Sequence, residues 1–245
     1  MLSVGRSRFA LLAGACALVA GACSFGPEEV THRDRTELVA VSVLDESGAA
    51  LTSATFVDLD GERFSTDFAG VVRLDLSQPT AGVVYAPGKL PEPVAIGTDA
   101  DLLTITMLDR VGPNGERVAM HFGGDTMLGR RYQAPIRNDT PRIESSEEAR
   151  DLMANVAPLM QAADFTTVNL ETVVGTLPNE DAYPGKIFLI QSPPIVTDAL
   201  DAVGVDLVML GNNHTNDWRD RGVVNTQAAL DQAAIAHVGS GLTRE

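Results

Sequence analysis

Three short stretches of this 245-residue chain join an apolar run to side chains that can hold a metal ion or move a proton. The fullest is Val205-Asp-Leu-Val-Met-Leu-Gly-Asn-Asn-His-Thr-Asn-Asp217. A run rich in Val, Leu and Met stops at Gly211, and the amides of Asn212 and Asn213, the imidazole of His214 and the carboxylate of Asp217 follow at once. Gly124-Asp125-Thr-Met-Leu-Gly-Arg130 and Asn169-Leu-Glu171 have the same form. Two carboxylates, an amide oxygen and an imidazole suit a divalent ion of the manganese, zinc or iron kind. A pair of such ions could activate a water and stabilise the charge on a displaced phosphate. His214 beside them could give a proton to the leaving group. No one stretch carries this reading. Asp125 after two glycines also suits a turn or helix cap, Asn169 and Glu171 a solvated strand end, and His214 an ordinary loop. The joint occurrence of three such strand ends carries it. A Gly-rich phosphate loop is not supported, since Gly-Lys-Ser/Thr is missing. Ser240 lacks the strand–elbow–helix setting of a nucleophile, and His121 and His237 alternate with apolar neighbours as structural histidines do.

The elements around these stretches decide whether they can meet. Residues 117–122 read as a strand ended by Gly123-Gly124-Asp125. Pro141 to Gln161 holds a helix: Ser145 and Glu148 form a capping box, Ala149, Leu152, Met153, Val156, Leu159 and Met160 share one face, and Pro158 should kink or end it. Residues 164–170 are a second strand. Ser192-Pro193 opens a helix to about Val203, and residues 205–210 are the third strand. Gly222 leads into a helix ending near Ala236, followed by a strand at Ala236-His-Val238. Alternating strands and helices predict a largely parallel sheet covered on both faces. Ligands bind such sheets outside the carboxyl ends of the strands, which is where all three polar clusters fall.

The chain before this region has another period. Short strands are expected at 38–44, 54–59, 63–66, 70–76, 82–86 and 102–108, with turn signals between them and no helical stretch. That spacing predicts a small antiparallel β-sandwich over 37–108. Asp58, Asp60 and Asp67 read as turn carboxylates rather than calcium ligands. Val111 to Glu116, with Gly-Pro-Asn-Gly in it, places a hinge at 109–116 and opens the α/β region 117–245. Val43-x-Asp-x-x-Gly48, Ala54-Thr55 and Thr66-Asp-x-x-Gly-x-Val-x-Leu74 resemble the carboxypeptidase regulatory-like domain, which implies a packing or spacer module.

Over residues 118–245 the motifs Gly124-Asp125-x-Met127-x-x-Arg130, Asn169-Leu-Glu171 and Asn212-Asn-His-x-x-Asp217 resemble the CapA family. That family is named for capsule synthesis and poly-γ-glutamate and has a calcineurin-like metallophosphatase fold. Gly222-x-x-x-Thr226-x-x-x-Leu230 and Ala236-His-Val-Gly-Ser-Gly241 continue its pattern. The resemblance implies that Asp125 and Glu171 are metal ligands, with Glu171 placed to bridge. It also implies that Asn213 binds metal through its amide oxygen and that His214 is the catalytic proton donor. Asn169, Asn212 and Asp217 are further site candidates, and Arg130 and Lys186 are candidates for holding an anionic group. The chain departs from the wider metallophosphatase pattern at Met127, where a histidine is usual. The later histidine motifs of that fold are expected beyond Glu245, so the chain reads as C-terminally shortened. The functional expectation is a metal-dependent phosphoesterase-type hydrolase at the cell surface. The alternatives are a non-catalytic surface lipoprotein binding polymer or partner proteins, and an inactive fragment.

The N-terminus and the charge place the molecule. Arg6 and Arg8 precede an apolar stretch to Ala22 that is too short for an ordinary spanning helix. It ends Leu18-Val-Ala-Gly-Ala-Cys23, which resembles a lipoprotein signal, so residues 1–22 are expected to be removed and Cys23 acylated. Residues 23–36 read as a polar linker. Cys16 and Cys23 are the only cysteines, so the folded part holds no disulfide. With 18 basic against 33 acidic residues the net charge is −15, which argues against unaided binding to nucleic acid or anionic lipid. A phosphate or carboxylate substrate held through metal ions stays open. An exported, lipid-anchored envelope protein is the expectation, with a secreted soluble form as its alternative.

Overall fold

The computed structural model describes residues 37–99, 101–132 and 143–242. The expected signal, Cys23 and the linker lie outside them, as do Pro141 and residues 243–245. All the described residues fall in one compact unit, Arg35–Glu245.

The first part is built from β1 (Glu37–Leu44), β2 (Thr55–Asp58), β3 (Arg63–Ser65), β4 (Val71–Leu76), β5 (Thr80–Tyr85), β6 (Glu92–Ile96) and β7 (Leu102–Thr106). They make a three-stranded sheet, β4-β1-β7, and a four-stranded sheet, β3-β2-β5-β6. Alternate residues turn inward: Val39, Val41 and Val43 of β1 meet Val72 and Leu74 of β4, Phe56 of β2, Val84 of β5 and Ile96 of β6 in one core. Each fully buried side chain of this size is worth about 1.5–3 kcal/mol of transfer energy. The expectation of an antiparallel arrangement needs one correction, because β7 pairs parallel to β1, with Val43 opposite Ile105. The chain crosses between sheets after β6, so β7 re-enters beside β1 in the same direction. The strand β6 was not foreseen. Asp58 and Asp67 cap turns by accepting backbone N–H bonds at 2.8–3.1 Å.

The segment read as a hinge folds as a hairpin of β8 (Val111–Gly112) and β9 (Gly115–Glu116). Its flanks are tied on both sides. Arg117 donates to Glu46 at 2.7 Å, and Arg110 donates to both oxygens of Asp164 at 2.9 Å. The Arg117 guanidinium, helped by the Asp109 backbone N–H, pulls the Glu46 carboxyl down to about 2. The Ala119 backbone N–H, with Arg110 beside it, likewise holds Asp164 below its ordinary value.

Beyond the hairpin, β10 (Met120–Thr126), β11 (Phe165–Leu170), β14 (Leu207–Met209) and β15 (Ala236–Val238) form one all-parallel sheet in that order. Between them lie α1 (Ser146–Met153), α2 (Ala157–Gln161), the short ribbon β12 (Val173–Val174) with β13 (Gln191–Ser192), α3 (Val196–Ala202) and α4 (Arg219–Gln232). The capping box at Ser145 and Glu148 is present. A 3₁₀ turn over Ala154–Val156 splits the expected long helix, and Pro158 sits in the first turn of α2. Ser192 belongs to β13 and α3 begins at Val196, three residues beyond the proline expected to open the helix. The last long helix begins at Arg219, ahead of Gly222.

Residues paired in parallel strands share a face. On one face Val168, Leu170 and Val208 pack with Ala149 and Met153 of α1, Ala199 and Leu200 of α3 and Leu230 of α4. The other face carries Met120, Phe122, Met209 and Val238, all exposed, with Phe122 at 70%. The expected cover on both faces is therefore corrected: among the described residues the helices lie on one face. All-parallel sheets are ordinarily covered on both.

Candidate functional site

The three polar clusters come together at the carboxyl ends of β10, β11 and β14, which are adjacent strands. Asp125 lies within β10 and does not follow its end as expected. The pairing with β11 shifts between Phe122 and Asp125 and resumes with Asp125 opposite Asn169. That irregularity at Gly123-Gly124 turns the Asp125 side chain to the same face as Asn169. The Asn169 amide donates to Asp125 Oδ1 at 2.7 Å and accepts from the Asn212 amide at 3.0 Å. The Asn212 amide also donates to the Leu170 carbonyl at 2.9 Å. One amide relay thus links the ends of all three strands.

The loop after β14 is set by its own side chains. Asn212 Oδ1 accepts the His214 backbone N–H at 2.9 Å, the local bond that asparagine offers in turns. Thr215 Oγ1 donates to the Leu210 carbonyl. Gly239, at φ +93°, lies against this loop; a Cβ there would stand 2.8 Å from the Gly211 nitrogen, so the close approach needs glycine.

His214 is buried and held from behind. Its Nδ1 lies 2.7 Å from Asp217 Oδ2. A carboxylate can only accept, so Nδ1 carries the proton and Nε2 is left for chemistry. Nε2 faces Glu171, 3.8 Å from Oε1. Asp217 is fully buried, and every donor around it is accounted for. Its Oδ2 also accepts the Ile190 backbone N–H at 2.6 Å, and its Oδ1 takes the Lys186 ammonium, which reaches the Asn213 carbonyl as well. Lys186 therefore braces the histidine's partner, a use that the reading as an anion holder did not foresee. The backbone signal for this was absent from the sequence, because Lys186 and Ile190 lie far from Asp217 along the chain.

Asp125 and Asn213 are exposed and Glu171 is half-buried. Arg130 is exposed, adopts φ +54°, and places its guanidinium 5.9 Å from the centre of the Phe188 ring. The donor types suit a divalent cation, with carboxylates at Asp125 and Glu171, an outward amide at Asn213 and no thiolate. Among the described residues, no three His, Cys, Asp or Glu side chains converge closely enough to hold an ion. The fit is thus in kind of ligand, with Glu171 and His214 already side by side. Cys23 lies outside the described residues.

These features define a mixed α/β protein with a cluster of polar side chains at the ends of a parallel sheet, backed by a buried Asp–His pair. The profile of the bacterial capsule synthesis protein family PGA_cap matches residues 119–245, more than half the chain. The chain belongs to that family. Two Sinorhizobium fredii proteins, the uncharacterized proteins y4sH and y4uA, are each 32% identical over 95 residues, covering 37% of this chain and 20% of theirs. The chain spans about a fifth of the length of these curated relatives. Among solved structures, the Bacillus anthracis TIE protein is similar at 15% identity and a TM-score of 0.23, covering 38% of this chain and 19% of that one. At that score it carries no argument about the fold.

Proposed function

We propose that this capsule synthesis family member is a phosphoesterase-type hydrolase of the cell surface, built on a calcineurin-like scaffold and acting on an anionic polymer or a phosphoester precursor. The setting is capsule or poly-γ-glutamate production, and the anchor is a lipid on Cys23. The observation that carries the reading is the chain Lys186–Asp217–His214, which ends in a free Nε2 beside Glu171. A buried carboxylate behind an imidazole fixes its tautomer and stabilises the imidazolium when it forms. As an imidazolium, with its Nδ1 proton held by Asp217, His214 gives its Nε2 proton to the departing oxygen and returns to the neutral imidazole, while Lys186 neutralises the Asp217 carboxylate. Glu171 and Asp125 would hold a divalent ion, manganese, zinc or iron, with Asn213 as a further oxygen donor. One such ion, or two, would supply a nucleophilic water and neutralise charge on the phosphoryl oxygens. The Asn212–Asn169–Asp125 relay keeps the carboxylate aimed, which is what a preorganised site requires. The test is hydrolysis of a chromogenic phosphodiester with added manganese. Activity should disappear in Asp125→Ala, and wild-type activity no greater than that variant's would sink the reading.

One observation favours a second reading, a non-catalytic surface that binds polymer or partner proteins. Asp125 is engaged by Asn169, and the carboxylates and imidazole do not close around one point. Retention of anionic polymer that survives Asp125→Ala would support this reading, and no retention by wild type would remove it.

A further inference from the structure

The segment Tyr183-Pro-Gly-Lys-Ile-Phe188 carries large apolar side chains into solvent at the edge of the crevice. Ile187 is 86% exposed and Phe188 68% exposed. Such side chains standing together beside a polar site mark a contact surface more often than chance.

The segment is held in place at both ends by the site itself. Tyr183 donates its backbone N–H to the Asp217 carbonyl at 2.8 Å, and Ile190 donates its own to the Asp217 carboxylate. Lys186 grips Asp217 and Asn213 between them. Farther back, Trp218 Nε1 donates to the Pro178 carbonyl at 3.0 Å and Arg219 to the Ala182 carbonyl at 2.9 Å. Ile187 and Phe188 are therefore presented on a braced base, between Lys186 and Ile190, which both touch the His214 partner.

Arg130 completes the arrangement. A left-handed φ on a non-glycine residue costs of order 1–3 kcal/mol and tends to persist at functional positions. Gly129 before it lies so close to β13 that a Cβ would meet the Gln191 carbonyl at 2.5 Å. The guanidinium thus set above Phe188 forms no ion pair among the described residues, in a chain with a large acidic excess.

We propose that Ile187, Phe188 and Arg130 form an amphipathic lip that selects the substrate. The lip takes an anionic group on Arg130 while an adjoining aromatic or aliphatic portion packs on Phe188 and Ile187. This rests on reading the His214 crevice as the place where the phosphoryl group is held. It adds the chemistry of the neighbouring group: a compact anion alone should bind less well than one carrying an apolar substituent.

The test uses the full chain with manganese and calorimetric titration of phenylphosphonate, methylphosphonate and inorganic phosphate. Wild type should prefer phenylphosphonate to phosphate by about tenfold, the size of one good aromatic contact. Phe188→Ala, exposed and so harmless to the fold, should erase that preference. Arg130→Gln should weaken all three anions. Equal binding of the three by wild type, no phenylphosphonate binding, or a preference that survives Phe188→Ala would overturn the lip. Loss of phosphatidylglycerol vesicle binding in Phe188→Ala, with the phosphonate preference intact, would assign the tip to a membrane and overturn it too. Asp125→Ala separates the two ideas. If it leaves phenylphosphonate binding unchanged while Phe188→Ala removes the preference, the lip stands and the crevice reading falls.

Discussion

Replacing Asp217 by Asn keeps the shape of the side chain and removes its charge. In the native protein that carboxylate is fully buried and accepts from Lys186, from the Ile190 backbone N–H and from His214 Nδ1. An amide offers one accepting oxygen and two N–H donors, so at least one native donor would face another donor. Hydrogen bonds to charged groups contribute about 1.5–3 kcal/mol each, and an unpaired buried partner adds its desolvation. Lys186 is about a quarter exposed and can recover part of its loss from water, while the buried His214 and Ile190 N–H cannot. The expected destabilisation is about 3 kcal/mol, or roughly 6–12 °C in melting temperature for a chain of this size. Because the imidazole would lose its fixed tautomer, turnover of an alkyl phosphodiester, whose poor leaving group needs the acid, should fall at least ~10²-fold, the lower range for a positioned acid–base group. Thermal melts followed by circular dichroism give the first number and phosphodiester turnover the second. A melting temperature within about 2 °C of wild type would refute the claim that Asp217 braces both His214 and the 183–190 segment.

Other expectations follow from the scaffold. Glu46 sits at about 2 in the folded chain against 4.5 ordinarily, so its contribution is complete above that ordinary value and is lost as pH falls toward the folded one. The melting-temperature gap between wild type and Glu46→Gln should be present at neutral pH and close in acid; a gap constant across that range contradicts the pairing with Arg117. Ser145→Ala removes the cap of α1 and should cost about 1 kcal/mol in denaturant unfolding, whereas no change would mean that α1 is held by packing alone. Phe122→Lys on the open sheet face should leave stability within about 0.5 kcal/mol and lower the binding of a hydrophobic dye; a large loss of stability would mean that this face is covered.

The parallel α/β layer was legible because apolar runs such as 205–210 mark strands, the 3.6-period stripe and Ser145–Glu148 box mark the first helix, and turn signals such as Ser192-Pro193 and Gly222 mark the others. Strand β6 was missed because Glu92-Pro-Val-Ala-Ile96 contains a proline, which usually speaks against a strand. It lies at the edge of its sheet, where a missing N–H is tolerated. The direction of β7 was not legible, since composition shows that a strand forms but not what it lies beside. The open face was misread for a related reason: Met120, Phe122, Leu207 and Met209 have the apolar character of covered positions, and the described helices all lie on the opposite face. At the site, the clustering of three strand ends followed from their order in a parallel sheet. The bracing of Asp217 by Lys186 and Ile190 did not, because it depends on how a long loop returns over the crevice.

The central claim is that His214 gives its Nε2 proton to a leaving oxygen. It is tested most directly by comparing His214→Ala with wild type on two phosphodiesters, one releasing p-nitrophenolate and one releasing an unactivated alcohol. A good leaving group needs little help from an acid and a poor one needs much. The account predicts a small loss of turnover on the nitrophenyl ester and a loss of about 10²-fold or more on the alkyl ester. Equal losses on both esters, or none, would contradict it.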